Sequence, residues 1–129
     1  MPGDPPKLPG RGPAPAVDQM SNAELARMVE SEHPYRGRAL FELADRIPLD
    51  DDAATKVGML SRLTSLRNAR VFDPVSLAWS AIISLLGGGT EHARASAYEA
   101  FGALEPAEQR RMLEYLEVST IEEAHPRTA

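Results

Sequence analysis

The stretch from Val75 to Leu86 reads VSLAWSAIISLL, and its apolar residues face nearly every side of a helix. A helix that is apolar all round belongs in the core of a protein, because no face of it favours water. We therefore place a helix from Pro74 to Leu86 at the centre of the fold. Asp73 as N-cap and Pro74 as first helical residue predict its start, and Gly87–Gly89 predict its end.

A helical period of apolar residues recurs on both sides of this central segment. Two further segments place apolar side chains at i, i+3, i+4 and i+7, which marks one face of a helix. These residues are Leu40, Leu43, Ala44 and Ile47 before it, and Ala97, Ala100, Phe101 and Leu104 after it. The predicted fold class is therefore all-α.

Capping signals give the bounds of the other predicted helices. Ser21 and Glu24 form a capping box, Ser31 or His33 is the expected N-cap of the second helix, and Thr90 caps the fifth. With the central helix as the fourth, the others cover residues 22–30, 34–46, 50–70, 91–103 and 106–117. Short connections favour antiparallel neighbours, so we expect six helices in antiparallel hairpins that form an α-α superhelix or a bundle.

Pro and Gly set the expected domain bounds. The first 20 residues hold six prolines and three glycines and offer little to bury, so we expect residues 1–20 to be a disordered tail. Residues 21–118 form the predicted helical domain, and residues 119–129 are expected to be a frayed C-terminal tail. A length of 129 residues fits one such domain.

Composition excludes several function classes. The formal net charge is −5, which disfavours broad binding to nucleic acid or to an anionic membrane. The chain has no cysteine, and no spacing of residues indicates a catalytic, cofactor-binding or metal-binding motif. No apolar run is long enough to span a membrane. We expect a non-enzymatic protein without cofactor or metal, in a cytoplasm. The abundance of Ala, Arg and Pro is typical of GC-rich bacteria.

Two segments are internally related. Ser31-Glu32-His33 precedes Arg36 and Ala39, and Thr90-Glu91-His92 precedes Arg94 and Ala97. The run from Arg94 to Leu104 resembles the second helix of a HEAT-like repeat. The resemblance covers about a third of the chain. Membership in this α-α superhelical family implies a HEAT-like stack of helices that binds partners along a concave surface, and it implies no catalytic residues.

Tyrosine and arginine in these related segments are the candidate partner-binding residues, because both types are favoured anchors at protein interfaces. On the second predicted helix they are Tyr35, Arg36 and Arg38, and on the fifth they are Arg94 and Tyr98. A groove between these two helices would bind another protein. The leading hypothesis is therefore a protein–protein interaction module that acts as an adaptor or regulatory subunit.

Two alternatives remain at this stage. Lys56, Arg67 and Arg70 fall on roughly one side of the third predicted helix, so a basic patch on the second and third helices would suit a nucleic-acid-associated transcriptional regulator. His33 and His92 each follow a glutamate near a helix start, and together they could form a metal or anion site.

Overall fold

The computed structural model describes residues 15–124, and within that range the chain is all-α with one small two-stranded sheet. The α-helices are α1 (Asn22–Glu30), α2 (Arg36–Arg46), α3 (Asp51–Leu60), α4 (Thr64–Asn68), α5 (Leu77–Leu86), α6 (Glu91–Gly102) and α7 (Pro106–Leu116). Strands β1 (Arg70–Phe72) and β2 (Val75–Ser76) pair antiparallel, and 3-10 helices cover Val17–Gln19, Ile47–Leu49 and Ile121–Glu123. The all-α prediction is confirmed, with seven α-helices in this range rather than six.

Helix α5 lies at the centre of the fold, as its apolar sequence predicted. It packs against α2, α3, α4 and α6. Ile82 and Leu85 are fully buried, and so is most of the remaining helix. A helix with buried side chains around most of its circumference must be enclosed by its neighbours, which accounts for its position.

The start of α5 corrects the prediction made from Asp73 and Pro74. The N-cap is Ser76, whose Oγ accepts a hydrogen bond from the backbone N–H of Trp79 at 3.1 Å. Asp73 and Pro74 instead occupy the exposed turn between β1 and β2. The chain bends back here because Val75 and Ser76 are buried, which needs an extended segment before the helix.

The third predicted helix is also shorter than expected, because α3 ends at Leu60. Its C-cap is Ser61, whose buried hydroxyl donates to the carbonyl of Gly58 at 2.6 Å. Leu63 is then extended, and α4 begins at Thr64 in a new direction that buries Leu66. The predicted continuous helix over residues 50–70 is therefore wrong beyond residue 60.

The predicted N-cap of the second helix is wrong as well. Helix α2 begins at Arg36 with Tyr35 in the N-cap position, and that side chain makes no capping hydrogen bond. His33 Nδ1 accepts a hydrogen bond from the backbone N–H of Tyr35 at 3.0 Å, so the histidine stabilises the turn that precedes the helix.

Both predicted tails contribute residues to the folded structure. Val17 and Met20 pack against the core from the N-terminal side. Ile121 is buried, and a capping box formed by Thr120 and Glu123 holds its 3-10 helix. Residues 15–20 and 119–124 are thus part of the fold, and the rest of the expected tails lies outside the described residues.

Packing between helices does not follow a simple series of hairpins. Helices α1 and α2 form a close pair, whereas α6 packs on both α3 and α5. Helix α7 is held by buried Met112 and by Gln109, whose Nε2 donates to the carbonyls of Phe101 and Leu104. The relation to HEAT-like repeats stays a prediction. Within residues 15–124 no helix is long and apolar enough to cross a membrane.

Candidate interaction site

The five residues chosen as partner-binding candidates lie on or beside α2 and α6. Tyr35 and Tyr98 are half-buried against the core, and Arg38 and Arg94 are exposed. Arg36 is partly buried, and its Nε has no hydrogen-bond partner among the described residues. Helix α2 packs chiefly with α1, α3 and α5, and α6 packs chiefly with α3 and α5. The two groups of candidates therefore sit on helices that share α3 and α5 as neighbours.

The alternative basic patch is divided by the fold. Lys56 lies on α3, Arg67 on α4 and Arg70 on β1, because the helix that was expected to carry all three ends at Leu60. Lys56 pairs with Asp52 at 2.9 Å on its own helix. The prediction of one helical face is wrong, although Arg67 and Arg70 do line a common cleft.

The two histidines have separate local partners. His33 contacts its own turn, and His92 Nε2 lies 2.7 Å from the hydroxyl of Thr55 on α3. Over residues 15–124 no group of three or more His, Asp or Glu side chains is arranged to hold a metal ion. The hydrogen bonds assign these histidines to the turn before α2 and to the contact between α3 and α6.

A cleft of about 380 Å³ opens between α4, the hairpin, α5 and α7. We call it the arginine cleft, since its walls include Arg67, Arg70 and Arg111, together with Pro74, Trp79 and Glu108. Three consecutive elements, which cover residues 64–86, and the distant helix α7 contribute to it. The arginine cleft thus gathers three arginines from α4, the hairpin and α7.

Glu108 organises the floor of the cleft. Its Oε1 accepts a hydrogen bond from Arg67 Nη2 at 3.1 Å, and its Oε2 accepts one from Trp79 Nε1 at 2.9 Å. Trp79 is only 2% exposed, so its indole N–H needs this acceptor. The carboxylate of Glu108 thus satisfies the indole and offsets the charge of Arg67.

The other two arginines keep their charge available. Arg70 Nη1 donates to the neutral backbone carbonyl of Pro74 at 3.2 Å, which orients the guanidinium without neutralising it. Arg111 is exposed on α7, three residues after Glu108. Within residues 15–124 neither arginine forms an ion pair with a carboxylate. The cleft therefore has two uncompensated guanidinium groups, each with N–H groups that can donate hydrogen bonds to a ligand.

Three exposed apolar side chains lie close in sequence to the arginines of this cleft. Phe72 is 56% exposed and Val71 is 42% exposed, and both lie on β1 next to Arg70. Tyr115 lies one turn after Arg111 on α7, and its ring centroid is 6.1 Å from that of Trp79. We call Val71, Phe72, Tyr115 and the arginine cleft together the hairpin–α7 face. It combines exposed aromatic side chains with arginine.

A second polar cluster joins the N-terminal elements. Asn22 Nδ2 donates to Asp50 at 2.9 Å and to Asp52 at 3.0 Å, and Arg46 donates to Asn22 Oδ1 at 2.8 Å. The hydrogen bond from Asn22 is the main cause that holds the pKa of Asp50 and of Asp52 below its usual value. Lys56 lowers the pKa of Asp52 further. We interpret this cluster as structural, since its members satisfy one another.

Sequence reasoning missed the hairpin–α7 face for identifiable reasons. Trp79 was counted as a core residue, which is correct for its ring but overlooks its N–H. The segment Arg70-Val71-Phe72-Asp73-Pro74-Val75-Ser76 has two short β-prone runs around an Asp-Pro pair, which is a hairpin signal. The same Asp-Pro pair is also a helix-start signal, and the two signals compete. No local signal brings Arg111 to this place.

Known proteins do not identify the chain. Comparison with family models, with curated proteins and with solved structures found no match.

Proposed function

We propose that this chain is a non-enzymatic protein–protein interaction module, an adaptor or regulatory subunit that binds its partner through the hairpin–α7 face. The observation that carries the proposal is the exposure of Phe72 and Tyr115 beside three arginines. Aromatic residues and arginine are the types most enriched at protein interfaces and at their energetic centres.

The distribution of exposed apolar side chains supports this choice of surface. Phe72 and Val71 are adjacent on one short strand, and the ring of Tyr115 on α7 lies 6.1 Å from that of Trp79, which lines the cleft. Leu49 is more exposed than any of them, at 97%, but it is a single residue in the turn between α2 and α3. Isolated apolar residues are ordinary on protein surfaces, whereas grouped ones indicate a contact site.

The first test is an affinity capture with the full chain and two matched variants. Phe72→Ser removes an aromatic side chain from the hairpin–α7 face, and Leu49→Ser removes a more exposed apolar side chain elsewhere. We expect one stoichiometric protein to be captured by the parent chain and by Leu49→Ser, and to be lost with Phe72→Ser. Equal capture by all three forms would contradict the use of this face.

A nucleic-acid-associated transcriptional regulator is the second candidate, because Arg67 and Arg70 of the basic patch line the same cleft. Salt separates the two functions. Binding to DNA weakens with added salt by about one log unit per log unit for each phosphate contact. Capture should therefore be repeated at high salt and after nuclease treatment. Recovery of nucleic acid that disappears at high salt would support the second candidate over the first.

Three narrower parts of the proposal rest on the sequence alone. The relation to HEAT-like repeats depends on the related segments before Ala39 and Ala97, and the bacterial and cytoplasmic setting depends on composition. The capture experiment addresses the setting directly, because the identity of the partner names the compartment.

A further inference from the structure

We propose that the arginine cleft binds carboxylates, and that its occupant is an acidic segment of the partner protein. This inference rests on the proposed function and adds the chemistry of the partner. It follows from the charges around the cleft, from the orientation of Arg70 and from the exposed apolar side chains next to its arginines in the sequence.

The balance of charge in the cleft favours an anion. Both oxygens of Glu108 are already engaged, one by Arg67 and one by Trp79. Arg70 and Arg111 therefore remain as two guanidinium groups that no carboxylate of residues 15–124 neutralises. This positive site occurs in a chain whose formal net charge is −5, so it is a local reversal of the overall charge.

The geometry of Arg70 suits a carboxylate. Its hydrogen bond to the carbonyl of Pro74 uses one Nη1 hydrogen and leaves other N–H groups of the planar guanidinium free. Such a group can bind both oxygens of a carboxylate in parallel. Because the hairpin already orients Arg70, less side-chain entropy is lost when a ligand binds. Arg111 faces the same cleft from α7.

The size and surroundings of the cleft favour a protein segment over a nucleic acid. A nucleic acid needs basic residues along a continuous path of phosphates. Here the third residue of the basic patch, Lys56, lines a different groove beside α1 and pairs with Asp52. Phe72, two residues after Arg70, and Tyr115, one turn after Arg111, would instead contact apolar side chains next to the acidic ones. An acidic segment with apolar neighbours matches both features.

Trp79 is the single tryptophan of the chain and lines this cleft, so tryptophan fluorescence reports on the surroundings of one residue at the site. The experiment titrates the full chain with a synthetic oligoglutamate peptide and follows Trp79 emission. An oligothymidylate of equal charge forms the second arm at the same ionic strength. We expect a saturable change with oligoglutamate, at lower concentration than with oligothymidylate. Tighter binding of oligothymidylate, or no change with oligoglutamate, would overturn the proposal.

Arg111 and Arg110 form a matched pair for this test. They are adjacent and exposed on α7, but only Arg111 lines the cleft. Arg111→Glu should weaken oligoglutamate binding about tenfold or more, as expected for a lost charge-assisted hydrogen bond. Arg110→Glu changes the net charge equally and should have an effect of less than about twofold. Equal effects of the two variants would show that the cleft is not the site.

The same variants separate this inference from the proposed function. Loss of partner capture with Phe72→Ser, together with normal capture by Arg111→Glu, would support the interaction module and overturn its preference for acidic segments. Loss of capture with both Phe72→Ser and Arg111→Glu, but not with Arg110→Glu, would support both statements.

Discussion

One carboxylate, that of Glu108, accepts hydrogen bonds from two residues that lie far before it in the sequence. Arg67 precedes it by 41 positions and Trp79 precedes it by 29. The indole N–H of Trp79 is buried, so its hydrogen bond cannot be replaced by water without rearrangement. A single side chain thus connects α4, α5 and α7.

Removing this carboxylate should destabilise the fold. Glu108→Ala leaves the indole N–H without an acceptor, and we expect the free energy of unfolding to fall by about 1–3 kcal/mol. Glu108→Gln keeps one side-chain oxygen as an acceptor, so we expect a smaller loss in the free energy of unfolding. Urea unfolding followed by circular dichroism measures both variants. Glu114→Ala, at an exposed position of the same helix, is the control. If Glu114→Ala lowered the free energy of unfolding as much as Glu108→Ala does, the prediction would be refuted.

Gly88 is the second residue whose identity is decided by its surroundings. A Cβ at this position would collide with Cγ2 of Ile47 and would lie 2.8 Å from Cβ of Ala93. Both neighbours are buried, so neither can move freely. We expect Gly88→Ala to lower the free energy of unfolding by about 1–3 kcal/mol, as overpacking does.

Gly102 provides the comparison for Gly88. A Cβ there would meet nothing within 4 Å, so Gly102→Ala should leave stability unchanged or slightly raised. Thermal unfolding of the two variants measures the contrast. If Gly88→Ala melted at the parental temperature, the packing between Ile47 and Ala93 would be looser than the structure describes.

At the element scale, the start of α5 is the most informative boundary. Two N-caps compete in the sequence, Asp73 before Pro74 and Ser76 before Leu77. Local rules favour the first, because Pro is common at the first helical position. The structure uses the second, because the hairpin and the burial of Val75 outweigh the local preference.

Substitution of the two competing caps tests this boundary. Ser76→Ala removes the hydroxyl that accepts from the N–H of Trp79, and we expect a loss of about 1 kcal/mol in the free energy of unfolding. Asp73→Ala should have little effect, since Asp73 is exposed in the turn. Urea unfolding measures the free energy of unfolding of both variants. A larger loss in Asp73→Ala than in Ser76→Ala would indicate that Asp73 is the N-cap.

At the scale of the whole molecule, the cluster around Asn22 ties the N-terminal elements together. Arg46 donates to the carbonyl of Val17 at 3.2 Å and pairs with Glu42 at 3.0 Å. Asn22 connects Arg46 to Asp50 and Asp52 at the start of α3. One network thus holds the first 3-10 helix, α1, α2 and α3 in register.

This cluster should make stability depend on pH. The pKa of Asp50 and of Asp52 is lowered in the folded state, chiefly by the hydrogen bond from Asn22. Their contribution is therefore present above the unfolded-state pKa of about 4 and is lost as the pH falls through the lower folded pKa. Asn22→Ala should weaken this dependence as well as stability itself.

Urea unfolding at a series of pH values measures the effect of Asn22. The quantity to compare is the difference in the free energy of unfolding between neutral and acid pH. Asn68→Ala, on the exposed side of α4, is the matched control and should keep the parental difference. An unchanged difference in Asn22→Ala would assign the pH dependence to other carboxylates.

Most of the helical structure could be predicted from local signals. The start of α1 follows from the capping box of Ser21 and Glu24, and the starts of α6 and α7 follow from Thr90 and Pro106. The break between α3 and α4 could not be predicted in the same way. Residues 57–66 continue an apolar helical period through the break, and only the need to bury Leu66 from a new direction ends α3 at Leu60.

The candidate site was the least predictable part. Arg67 and Arg70 were chosen from the sequence, but as members of a helical face that does not exist. Their true neighbours, Trp79 and Arg111, come from other elements. Spacing along the chain carries no information about which elements meet, because such contacts depend on how the helices pack.

The sequence by itself determined the all-α class, the central position of α5 and most helix ends, because a helix depends on residues three or four positions apart. The tertiary structure alone decided the hairpin, the separate helix α4 and the arginine cleft. Each of these depends on burial or on hydrogen bonds between distant segments, as with Glu108 and Arg67. Such contacts form only when the helices have packed around α5, and their free energy then outweighs local preference.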